Sequence, residues 1–77
     1  MEHALDVCGL EPPQPMVEIL SKLPELADGD VLVVRHFREP VPLYAHLEEA
    51  GYEHSIEKLA EGEYRLRIWR RHDGRGA

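Results

Sequence analysis

The sequence predicts an α+β domain of 77 residues, a two-layer sandwich in the order β-α-β-α-β-β with a mixed four-stranded sheet and both helices on one face. Three observations carry this expectation. Apolar residues recur at helical spacing in two segments and alternate, or run unbroken, in four others. Proline and glycine clusters separate these segments. A chain this short also has room for only one modest core.

The elements follow in order. Ala4 to Cys8 reads as a first strand with Leu5 and Val7 on one face, closed by Gly9 and by Pro12, Pro13 and Pro15. Pro15 suits the start of a helix, where its missing N–H would have no intrahelical partner. Met16, Ile19, Leu20 and Leu23 then form one stripe, ended by Pro24 and the turn Asp28-Gly29-Asp30. Val31 to His36 predicts a second strand with apolar contacts on both faces. Pro40 and Pro42 open a second helix marked by Leu43, Leu47 and Ala50, with His46 beside them and Gly51 as its cap. Tyr52, His54 and Ile56 alternate along a third strand, with Tyr52 packing back on the helix end. Glu61-Gly62-Glu63 turns the chain, and Tyr64, Leu66 and Ile68 alternate with Arg65, Arg67 and Trp69 along a fourth. One domain over 1–77 is expected, with a flexible tail from about residue 72. A right-handed crossover would make the first two strands parallel and gather both helix starts and both proline loops at one end, where a site is expected.

Composition bounds the function. The hydrophobic content of 43% and charged content of 31% belong to a folded chain. Cys8 stands alone, so no internal disulfide forms, which suits a reducing compartment. No apolar run reaches the ~20 residues of a membrane span, and Met1 to Leu10 lacks the pattern of a secretory signal. A soluble cytoplasmic protein with no membrane association is expected. The net charge of −6 disfavours non-specific nucleic-acid binding, although Arg65, Arg67, Arg70, Arg71 and Arg75 crowd the C-terminal end.

The segment Leu5-Asp6-Val7-Cys8-Gly9-Leu10-Glu11-Pro12-Pro13-Gln14-Pro15 resembles the signature of the TusA/SirA-like sulfur carriers, L-D-x-x-G-L-x-C-P-x-P before the first helix. The resemblance implies the fold shared with the C-terminal domain of translation initiation factor three. In that family the cysteine of C-P-x-P carries a persulfide, whereas Pro12 stands at the matching place here. Pro12-Pro13-Gln14-Pro15-Met16 and Glu39-Pro40-Val41-Pro42-Leu43-Tyr44 are more similar to an uncharacterised sister family that lacks the carrier cysteine and has no settled activity.

Three candidate sites follow. Asp6, Cys8, Gln14, Arg35, His36 and Arg38 are grouped as ligand-binding candidates at the proline-loop end, where helix starts and cations favour an anion. The bland alternative is ordinary surface pairing of Arg35 and Arg38 with Glu39 or Glu11. Cys8 would be the one catalytic residue of a relocated sulfur or redox carrier, but a thiol at a strand end more often packs as a small hydrophobe. Arg65, Arg67, Trp69 and Arg71 are interface candidates on a sheet face with no helix over it. Such a face holds a protein partner or RNA, or is solvated with its arginines paired to Glu53, Glu57 and Glu63.

His3, His36, His46, His54 and His72 do not fall at metal-ligand spacing, even with Cys8 added, and His46 reads as a partly buried helix residue. No metal or cofactor is expected. Nor does any triad or phosphate loop suggest independent catalysis. The expected function is an accessory or binding module for a protein partner or small anionic ligand, with self-association into a homo-oligomer left open. A Cys8 carrier is the alternative, and RNA binding through the arginine strand the third reading.

Overall fold

A computed structural model describes residues 1–71. The expected tail from about residue 72, with His72 and Arg75, lies outside the described residues. The chain runs β1 (Glu2–Asp6), α1 (Gln14–Lys22), a short 3₁₀ turn (Leu23–Glu25), β2 (Val31–His36), α2 (Val41–Ala50), β3 (Tyr52–Ala60) and β4 (Glu63–Arg70). The sheet order is β1-β2-β4-β3, with β1 parallel to β2 and the other pairs antiparallel, so the expected mixed sheet is present.

Alternation sorts the sheet into two faces. Leu32 and Val34 lie opposite Ile68 and Leu66, and all four are fully buried. Ile19 and Leu23 from the first helical segment, and Leu43 and Leu47 from α2, close the same core, so both helices cover this face. Burying each side chain of this size contributes roughly 1.5–3 kcal/mol before chain entropy is charged against it. The other face carries Val31, Val33 and Arg35 beside Trp69, Arg67 and Arg65, with Glu53, Ser55 and Glu57 on the outer strand.

The local signals act as their chemistry requires. Pro24 cannot donate within a helix, and the chain tightens into the 3₁₀ turn there. Asp30 closes the following turn by accepting the Ala27 N–H at 3.1 Å and bonding His3 Nε2 at 2.9 Å. These contacts, led by the Ala27 N–H, hold its carboxyl well below the usual range. Gly51 caps α2 in the left-handed region at φ 87°, donating to Glu48 O at 3.2 Å.

Four expectations need correction. β1 spans Glu2–Asp6, so Cys8 sits in the turn beyond the strand; the Val7 N–H still donates to Arg35 O at 3.0 Å, and the Cys8 N–H donates to Asp6 Oδ1 at 2.9 Å, a local side-chain bond that favours the turn. Pro15 is the second residue of α1, after Gln14. His46 is exposed and not partly buried, because the side of α2 that meets the sheet is the one carrying Leu43 and Leu47, with Tyr44 beside them. Ala50 is likewise exposed at the end of that helix.

Candidate functional site: a proline-walled pocket

The parallel pairing of β1 and β2 brings the starts of α1 and α2 to one end of the sheet. Between them lies a cavity of 210 Å³ walled by Pro12, Pro13 and Pro15 on one side and by Pro40 and Pro42 on the other, with Met16, Ile19 and Leu43 at its base. His36, Phe37 and Arg38 complete it at the end of β2. Proline lacks an N–H, so these helix starts offer few of the donors that make an ordinary helix N-terminus an anion cradle.

Among the described residues His36 is the one polar residue of the core, 4% exposed. Its position follows from the alternation Leu32, Val34, His36 on the covered face of β2. Nδ1 accepts the N–H of Phe37 at 2.9 Å and of Arg38 at 3.3 Å, so Nδ1 is unprotonated and the neutral ring carries its proton on Nε2. Burial, and secondly the Arg38 charge, lower its pKa below the ordinary 6.5. No fully buried side-chain nitrogen or oxygen among the described residues lacks a partner, so Nε2, for which no partner is seen, is not fully enclosed, and His36 is one of the residues lining the cavity. A ring fixed in this tautomer donates from Nε2 and offers a metal no lone pair there. Among the described residues no cluster of three metal-ligating side chains occurs.

Arg38 lies at the rim with its guanidinium carbon 5.5 Å from the Phe37 ring centre and makes no ion pair with any described residue. Glu39, also on the rim, accepts the Tyr44 hydroxyl at 3.2 Å. Burial and this contact push Tyr44 up to about 12. The Tyr44 ring in turn stacks on His54 at 4.1 Å.

The remaining candidates lie elsewhere. Arg35 points to the open face, 3.8 Å from both Asp6 and Glu63, so the ligand-binding group of six splits between two faces. Gln14 donates to Glu18 at 2.9 Å on the outside of α1. Cys8 is half-buried; burial first, then the Asp6 carboxylate, push its thiol up, away from the thiolate that sulfur transfer needs. On the open face Glu57 takes Arg65 at 3.2 Å and Arg67 at 3.8 Å, and Trp69 Nε1 donates to Glu53 at 3.1 Å. Arg71 follows β4 and donates its N–H to Gly51 O at 2.8 Å.

Sequence reasoning missed Phe37 and the apolar base of the pocket. A signal was present for the base, since Met16 and Ile19 belong to the helical stripe already read as core; for Phe37 the sequence offered only its place directly after the second strand, beside the candidates His36 and Arg38.

Fold and site together define a small α+β domain with a compact, largely apolar pocket at the shared end of its two helices. The chain belongs to the family described as uncharacterized conserved protein (DUF2249), whose match covers residues 4–70 and so spans every element except the first two residues of β1. No curated protein and no solved structure matches the chain. No helix among the described residues is long and apolar enough to cross a membrane.

Proposed function

We propose that the chain is a cytoplasmic, non-catalytic binding module of TusA-like architecture, with the proline-walled pocket as its recognition site. The observation that carries the reading is the pairing of a buried donor, His36, with an arginine, Arg38, that has no carboxylate partner among the described residues. In a chain of net charge −6, carboxylates are abundant and an arginine left without one suits an external partner. The persulfide chemistry of the resembled family has no thiol at Pro12, and the raised pKa of Cys8 weakens the case for a relocated carrier. RNA binding is weaker still, because Arg65 and Arg67 share Glu57.

Two measurements test this reading. The protein is incubated with a persulfide donor and weighed intact: the mass stays unchanged, whereas one added sulfur that is absent in Cys8→Ser would establish the carrier. A set of small apolar fragments is then titrated against ¹⁵N-labelled protein. Amide shifts at Met16, Phe37 and Leu43 support the pocket, and shifts confined to Arg65–Trp69 overturn it.

A further inference from the structure

We infer that the pocket takes a small monocarboxylate with a compact apolar body, the carboxylate lying between His36 Nε2–H and the Arg38 guanidinium. This rests on the pocket being the recognition site.

The donor inventory sets the ligand's head group. Five of the lining residues, Pro12, Pro13, Pro15, Pro40 and Pro42, have no N–H. His36 contributes one donor, and its Nδ1 is already committed to two backbone N–H groups. Arg38 contributes a planar fork whose geometry matches a carboxylate. A phosphate brings more acceptor oxygens and up to two charges, and most of them would face proline rings and aliphatic carbon. A cation is excluded by the same inventory: the ring presents N–H and not a lone pair, and Arg38 repels it. The rim carboxylate Glu39, which would favour a cation, is turned to the Tyr44 hydroxyl.

The volume sets the body. An engineered apolar cavity of about 150 Å³ holds benzene. At 210 Å³, with Met16, Ile19 and Leu43 at the base, this pocket fits a ring of that size with a carboxylate attached.

The test titrates the ¹⁵N-labelled full chain with benzoate, benzyl alcohol, benzylamine and inorganic phosphate, for wild type and for Arg38→Gln. Arg38 is exposed, so the variant keeps the core intact. Benzoate is expected to shift the Phe37, Arg38 and Met16 amides saturably and to bind about tenfold more tightly than benzyl alcohol, a margin that Arg38→Gln removes, since a charged hydrogen bond is worth about that factor. Benzylamine and phosphate are expected to leave these amides unmoved. If benzyl alcohol matches benzoate and Arg38→Gln changes neither, the pocket stands as an apolar site and the carboxylate assignment falls. If phosphate or benzylamine binds there more tightly than benzoate, the assignment falls likewise. If none of the four moves the pocket amides, both the assignment and the pocket reading fall.

Discussion

Tyr52 donates its hydroxyl to the carbonyl of Leu23 at 3.1 Å, joining the start of β3 to the end of the first helical segment 29 residues earlier. That carbonyl also accepts the Leu26 N–H at 3.0 Å, so losing Tyr52 does not orphan it. Tyr52→Phe is therefore expected to cost about 0.5–1.5 kcal/mol, read as a lower urea midpoint with an unchanged slope. A midpoint equal to wild type would show that the bond contributes nothing net.

His36 makes stability depend on pH. Its folded pKa lies below the unfolded value of 6.5, so below that pH the unfolded chain binds the proton first. The stabilisation is complete above about 6.5 and is lost as the pH falls toward the folded pKa, because a protonated Nδ1 cannot accept from Phe37 and Arg38. Asp6 and Asp30, both held below 3.8, lose their contributions only under more acidic conditions. Urea midpoints that fall from about pH 7 to about pH 5, with the His36 ring titrating late by NMR, are the expected outcome. A flat profile with His36 titrating at 6.5 would refute the buried neutral ring.

Adjacent residues on β4 are expected to differ sharply. Leu66 is fully buried among Val34 and the helices, and Leu66→Ala should cost about 2–5 kcal/mol. Arg67 faces the open side with an exposed 3.8 Å pairing to Glu57, and Arg67→Ala should cost less than about 1 kcal/mol. Equal losses in denaturant melts would mean that something covers the open face.

Asp6 restrains Cys8, second only to burial. Asp6→Asn removes the negative charge while keeping an acceptor for the Cys8 N–H, so the thiol becomes more acidic and alkylation by iodoacetamide at mildly alkaline pH speeds up. An unchanged rate would show that burial alone sets the reactivity.

The order of elements was legible because each depends on neighbours in the chain. The spacing of Met16, Ile19 and Leu23, the run Val31–His36, and Gly51 after the second helix are local signals, and the elements formed where they stand. The end of β1 was less legible, because the apolar alternation runs on to Val7, whose N–H still donates to Arg35 O at 3.0 Å, while the strand itself stops at Asp6 and the side chain of Asp6 takes the Cys8 N–H in a turn. The prolines at both helix starts pointed to a candidate site, and the parallel pairing that brings them together was read from topology.

What the sequence by itself determined was therefore the architecture and the gathering of both proline-flanked helix starts at one end of the sheet. Tertiary structure alone decided which polar groups meet there. Strand parity sent Arg35 to the open face, toward Asp6 and Glu63, and turned His36 into the core. The reason is physical: alternation fixes the side of the sheet each residue takes, but the folded backbone sets which groups are desolvated and which remain unpaired. His36 is buried with its tautomer fixed, and Arg38 beside it has no described carboxylate to meet.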